Sequence, residues 1–277
     1  MEKKTYLNEC LQRNVLMRWT EQLMPLTIYV APFRWYQAQG SDAANYQYTG
    51  LIIDALNMWA QASDRAFSYV IVDKLHDSMI NIDWRRVDRS SLGNCNYNFD
   101  SHGRLYSAEV QIGLSDGVIH QDYMSESEVK HTVIHEIGHA LGLQHSPFPN
   151  DIMYVPHQYG IANASARDKM TLKWLYKLPW GKTPSEIINA YSDGDAKSID
   201  EMIWRLTENN EPSKFESIAN AMVNSQITKD LIEENEKLAD IKRYKMSLEQ
   251  IKVSKEVKNY IKNVKMKKNN FNDQNNF

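Results

Sequence analysis

His135-Glu136-Ile137-Gly138-His139-Ala140-Leu141-Gly142-Leu143-Gln144-His145-Ser146 is the stretch on which the reading of this chain turns. On a helix, residues four apart lie one above the other on the same face. His135 and His139 therefore present two imidazoles to one point, close enough to share a metal ion. Glu136 sits beside the first histidine, where it can reach water on that metal without being a ligand itself. Gly142 suits the end of such a helix, since glycine adopts the left-handed conformation of a C-cap without steric cost. The chain can then turn and bring His145 back as a third nitrogen ligand. Three neutral imidazoles leave a zinc ion a fourth position open to water, as in a catalytic rather than a closed structural site. The plain alternative is an amphipathic helix with incidental histidines. A bare H-E-x-x-H leaves that alternative standing, whereas the added glycine and third histidine argue strongly against it.

This run, followed by Asp151-Ile152-Met153-Tyr154, resembles the metzincin zinc proteases and, within them, the matrixins. Ser146, directly after the third histidine, is the matrixin residue at a position that differs among metzincins. Met153 matches the methionine of the Met-turn, which underlies the zinc site in that fold. Some metzincins place a zinc-binding tyrosine two residues after that methionine. Val155 stands there in this chain, so no such ligand is implied, and Tyr154 reads as packing or backbone support. The resemblance extends over residues 18–178 and is concentrated in 128–154.

The resemblance implies an α/β (α+β) metzincin, zincin-like fold. In it a twisted, mixed and mostly parallel sheet with long helices lies above a horizontal cleft. A smaller lower part holds His145, the Met-turn and a closing helix. The implied function is a zinc-dependent endopeptidase with one catalytic Zn2+ on His135, His139 and His145. Glu136 would take a proton from the zinc-bound water and pass it to the leaving amine. The metal would polarise the scissile carbonyl and stabilise the oxyanion. Matrixins also carry structural calcium and a second zinc, whose ligand pattern is not recognisable here.

A chain of 277 residues holds one or two domains. Its net charge of -3 argues against a dedicated nucleic-acid binder. Cys10 and Cys95 cannot build a disulfide framework, and two free thiols are expected rather than one bridge. No run has the length of a membrane span. The N-terminus has lysines but no apolar stretch after them, so it does not read as a secretory leader. The default compartment is then the cytoplasm, with export if an upstream segment precedes it. Cys10 invites comparison with the matrixin latency switch, but Asn8-Glu9-Cys10-Leu11-Gln12-Arg13 lacks that motif, and a plain thiol is expected.

Residues 1–14 read as an N-terminal segment and 15–178 as the catalytic domain. Leu26–Val30 is a β-branched run between prolines, a first strand. From Tyr48 to Ser63, Ile52, Ala55, Leu56 and Trp59 recur at helical spacing, with Trp59 a core residue. Phe67–Val72 and Met79–Trp84 are expected as strands. The stretch Ser90–Gly103 holds Asn94, Asn96, Asn98, Asp100 and His102 at alternate positions. It reads either as a calcium loop short of carboxylates or as turn-forming polar residues, so calcium is not supported by a motif.

Ala108-Glu109-Val110-Gln111 belongs to an alternating, half-buried strand. In metzincins the strand before the zinc helix is the antiparallel edge strand of the cleft, to which an extended peptide can add. An ordinary edge strand is the other reading. Ser125–Leu141 is the zinc helix, with Ser125 and Glu128 at capping-box spacing. His131 lies one turn before His135, about 6 Å further along the axis. In matrixins the residue at this offset lines the pocket for the side chain just after the scissile bond; a core histidine is the alternative. The loop beginning Val155-Pro156 should form the pocket's outer wall, with His157 a surface histidine. Ser165 and Asp168 offer a second capping box. Asp168 also matches the matrixin aspartate that holds the Met-turn backbone.

From residue 179 the composition shifts to helix formers, asparagine and lysine, implying an all-helical extension over 179–268 and a disordered tail over 269–277. The lysine-rich stretch 252–268 reads as a solvated helix or as a contact for an acidic partner or membrane surface. Two other functions remain open. One is a non-catalytic, zinc-scaffolded binding module, against which the intact Glu136 counts. The other is a dedicated peptidase for one partner, docked by the C-terminal helices.

Overall fold

Alternation of apolar and polar residues builds the central sheet. A computed structural model describes residues 4–32, 41–86, 92–115, 125–158, 160–191 and 196–208, with the backbone alone for 41–47, 86, 115 and 208. The chain divides into two units, Met1–Asn224 and Ser225–Phe277, and every described residue belongs to the first. The part of the expected helical extension beyond residue 208, with its basic stretch 252–268, and the tail 269–277 lie outside the described residues.

A small antiparallel pair comes first, β1 (Leu11–Gln12) and β2 (Val15–Leu16). The main sheet contains β3 (Leu26–Val30), β4 (Tyr69–Ile71), β5 (Ile80–Arg86), β6 (Gly93–Phe99) and β7 (Leu105–Ser115), ordered β4-β3-β5-β7-β6. The first four in that order are parallel, and β6 runs antiparallel to β7. The helices are α1 (Ser41–Ala62), α2 (Glu126–Ala140), α3 (Ala166–Lys177), α4 (Pro184–Tyr191) and α5 (Ile199–Glu208). Helix α1 starts earlier than its apolar periodicity, because its first turns are polar and leave no spacing to read.

Leu26, Ile28, Ile80, Ile82, Ala108, Val110 and Ile112 are buried on one face of the sheet. Ile52, Ala55, Leu56 and Trp59 of α1 and Val129, Val133 and Ile137 of α2 belong to the same core. Burying one such aliphatic side chain contributes about 2 kcal/mol, so this face fixes the register of the strands. None of the helices among the described residues is long and apolar enough to cross a membrane.

Two expectations are corrected. Residues 93–99 are a strand rather than a metal or turn loop. Asn94, Asn96 and Asn98 are its exposed face, while Cys95, Tyr97 and Phe99 pack inward. The period of two that mimicked alternate calcium ligands is the pleat of β6. Asp100 then makes the turn, accepting from the backbone N–H groups of His102 and Arg104. Second, the antiparallel edge is β6, not the strand carrying Ala108, Glu109, Val110 and Gln111. Those four residues pair with Ile80–Asp83 on one side and Asn94–Tyr97 on the other, so their main chain has no free edge for a peptide.

The boundaries expected after residues 14 and 178 are not breaks in packing. Thr5 Oγ1 and the Leu7 N–H donate to Asp200 Oδ1 at 2.6 and 2.9 Å, joining the start of the chain to α5. Ile187, Ile188, Ile199, Met202 and Ile203 of α4 and α5 share the core with Leu7 and Cys10. The buried Arg18 guanidinium donates to the Trp19 and Leu178 carbonyls, both at 3.1 Å, and lies over the Tyr176 ring. A charge this deep is held by the Glu21 carboxylate at 2.7 Å and by the Leu178 carbonyl at the end of the closing helix, which ties the early chain to that helix.

Candidate metal centre

Helix α2 begins at a full capping box: Ser125 caps the Glu128 N–H and the Glu128 carboxylate returns to the Ser125 N–H. It ends at Ala140, and Gly142 follows at φ +105. A side chain at Gly142 would collide with the Met17 carbonyl, so only glycine lets the chain turn here. The turn brings His145 to the imidazoles of the helix. Ring centroids lie 4.8 Å apart for His135 and His139, 4.7 Å for His139 and His145, and 5.4 Å for His135 and His145.

His135 Nδ1 is 2.7 Å from the Ile152 carbonyl and His139 Nδ1 is 2.8 Å from the Leu143 carbonyl. A carbonyl only accepts, so each Nδ1 carries the hydrogen and each Nε2 presents a lone pair. These two Nε2 atoms face each other at 3.1 Å. Two lone pairs so placed repel unless a cation lies between them. One candidate ligand atom from each of His135, His139 and His145 falls within 4.8 Å of the others. Burial holds His135 well below the usual histidine range, His139 down to about 4, and His145 lower than usual. Neutral, convergent imidazoles, two of them tautomer-fixed, are a donor set that fits zinc.

Glu136 is buried beside them, and burial pushes its carboxyl up to about 8. Among the described residues no hydrogen bond reaches that carboxylate. Gly93 on β6 makes room for it: a Cβ there would lie 2.7 Å from Glu136 Cγ and Oε1 and 2.6 Å from Thr132 Cγ2.

Below the imidazoles, Met153 is fully buried against α2. A Cβ at Gly138 would meet its sulfur at 2.5 Å, which accounts for the glycine between the two helical histidines. Asp168 Oδ2 accepts from the Ile152 N–H at 2.8 Å and from Ser165 N–H at 2.8 Å. The aspartate thus caps its own helix and holds the Met-turn, whose Ile152 carbonyl holds His135.

Several supports were not anticipated from sequence. Asp151, also buried, accepts from Ser146 Oγ, Ser165 Oγ and Arg167. Trp19 Nε1 donates to the Ala140 carbonyl at 2.7 Å, Trp59 Nε1 to Ile134 at 3.1 Å, and the Tyr176 hydroxyl to Leu141 at 3.1 Å. Aromatic residues this far apart in sequence carry no local sign that their polar atoms converge on one helix.

His131 is buried, with Nδ1 2.6 Å from the Ile161 carbonyl and its ring 3.9 Å from that of His157. It therefore ties α2 to the loop that opens with Val155 and Pro156, both exposed. Cys10 and Cys95 are free thiols. Cys10 lies wholly in the core, where burial raises it to about 12; burial and the neighbouring Glu136 raise Cys95.

A five-stranded mixed sheet, a long histidine-bearing helix and a methionine turn beneath three imidazoles define a metzincin-type zinc metallopeptidase domain. The matrixin family pattern matches residues 32–177, and the chain belongs to that family. It is 33% identical over 149 residues to a "Probable matrix metalloproteinase 095L" of Invertebrate iridescent virus 3, covering 48% of this chain and 38% of that protein. It is 28% identical over 127 residues to a "Putative matrix metalloproteinase" of Heliothis virescens ascovirus 3e, covering 39% of this chain and 26% of the relative. The chain thus aligns with well under half the length of either relative.

Proposed function

We propose that this chain is a zinc-dependent endopeptidase acting on extended segments of protein or peptide substrates. The observation that carries this is the buried Glu136 carboxylate, without a hydrogen-bond partner among the described residues, next to three convergent neutral imidazoles. Zinc, when held by His135, His139 and His145, supplies a Lewis acid for the scissile carbonyl and for water. Glu136 then takes the proton of the attacking water and delivers it to the departing amine. A pure metal scaffold has no use for such a base, which argues against a silent binding module.

The substrate main chain adds to β6, whose outer edge pairs with no strand among the described residues. That edge starts at Gly93, in contact with Glu136, so a peptide laid along it passes the base and the metal ligands. His131 forms the floor of the pocket for the side chain after the scissile bond, and Val155 and Pro156 form its rim. The test is cleavage of an unfolded protein by the purified chain, abolished by a chelator and restored by zinc. Stoichiometric zinc without cleavage of any sequence in a peptide library would favour the binding module.

A further inference from the structure

Gln144 stands directly before the third imidazole, and its side chain crosses to the edge strand. There the Tyr97 hydroxyl lies 3.0 Å from Gln144 Nε2 and 3.2 Å from Oε1. The hydroxyl can accept from the amide nitrogen and donate to the amide oxygen, which makes the two side chains a self-contained pair. Tyr97 lies on the inward face of β6, as Gly93 does beside Glu136.

The three candidate ligands are not held alike. His135 and His139 are each fixed through Nδ1 by a backbone carbonyl. His145 is exposed, and among the described residues no hydrogen bond reaches its ring. Its position therefore depends on the loop that carries it. That loop is fixed on the helix side by the Leu143 N–H to the Gly138 carbonyl at 3.0 Å, and beyond the histidine by the Ser146 N–H to the Met153 carbonyl at 2.9 Å. Between those two bonds, among the described residues, the Gln144 side chain ties the loop to the sheet.

We propose that Tyr97 and Gln144 are positioning residues for the third metal ligand. Their pair clamps residues 142–146 to the edge strand and holds the His145 imidazole against those of His135 and His139. The inference rests on the zinc reading of the site and adds to it a support outside the ligand set. Partners behind a metal ligand, when removed, typically change metal affinity by 10–100-fold, roughly the range to expect here.

The experiment loads the full chain with one equivalent of zinc and follows its release to a chromophoric chelator. Tyr97→Phe and Gln144→Leu should each release zinc on the order of 10-fold faster than wild type. The double variant should be no faster than either single one, because each change breaks the same pair. The cobalt-substituted variants should show an altered visible spectrum, reporting a displaced third nitrogen. Asn98→Ala removes a bond to Ser107 Oγ from the outer face of the same strand and should release zinc at the wild-type rate. Wild-type release rates and spectra in both Tyr97→Phe and Gln144→Leu would overturn the inference alone. A wild-type chain that takes up no zinc would overturn the zinc reading and this inference with it.

Discussion

The Tyr6 hydroxyl donates to Asp168 Oδ1 at 2.9 Å, while the other oxygen of Asp168 accepts from the backbone N–H of Ile152 at 2.8 Å. One buried carboxylate therefore joins the beginning of the chain to the turn beneath the metal centre. Asp168→Ala would leave the Ile152 and Ser165 N–H groups and the Tyr6 hydroxyl without their acceptor. The expected loss is about 3 kcal/mol in urea unfolding, with Tyr6→Phe costing about 1 kcal/mol. Zinc should also be held less tightly in Asp168→Ala, since the Ile152 carbonyl orients His135. An Asp168→Ala variant as stable as wild type would show that the Met-turn does not depend on this network.

The metal-free protein should respond to pH through Glu136. Its carboxyl rises from 4.5 to about 8 on burial. Between those values the folded state keeps a proton that the unfolded state has released, so stability falls as pH rises through that window. Glu136→Gln removes this dependence. Metal-free Glu136→Gln should be more stable than metal-free wild type at pH 8, by on the order of 3 kcal/mol, and equal to it near pH 4. Urea midpoints at the two pH values measure this, and a constant difference between the proteins would contradict it.

His131 touches both α2 and the loop after the Met-turn. His131→Leu removes the bond to the Ile161 carbonyl and the polar floor assigned to the pocket. Zinc content should stay at wild-type level. The cleavage profile should shift towards longer apolar side chains after the scissile bond. An unchanged profile with unchanged stability would remove His131 from the pocket, and loss of zinc would place it among the ligands.

Cys10 is buried beside Tyr6, with its sulfur 3.8 Å from the Tyr6 carbonyl. A thiol so enclosed cannot block a metal in the cleft. Cys10→Ser should cost about 1–2 kcal/mol in stability and leave peptidase activity unchanged. A large rise in activity would instead make this segment an inhibitory one.

The metal centre was legible because its information is local. His135, His139, Gly142 and His145 lie within eleven residues, and helix geometry with one glycine turn brings the histidines together. The strands at Leu26 and Ile80 were legible from their apolar runs. The edge strand was not: β6 carries three asparagines on one face, and its inward face, Gly93, Cys95, Tyr97 and Phe99, begins with two small residues. Sheet order was likewise hidden, since nothing local in Ala108–Gln111 says that β6 covers their outer side. The contacts across residues 14 and 178 were hidden for a related reason. Thr5, Tyr6 and Leu7 look like an ordinary polar terminus until Asp168 and Asp200, remote in sequence, supply their partners.

The division of labour at the metal is tested most directly by zinc content and peptide cleavage measured together in wild type, Glu136→Gln and His139→Ala. Glu136 is assigned the proton and no metal bond. Glu136→Gln should therefore bind one equivalent of zinc, keep its fold, and lose cleavage by about three or more orders of magnitude. His139→Ala should lose most of its zinc. Cleavage at the wild-type rate by Glu136→Gln, or full zinc stoichiometry in His139→Ala, would contradict the account.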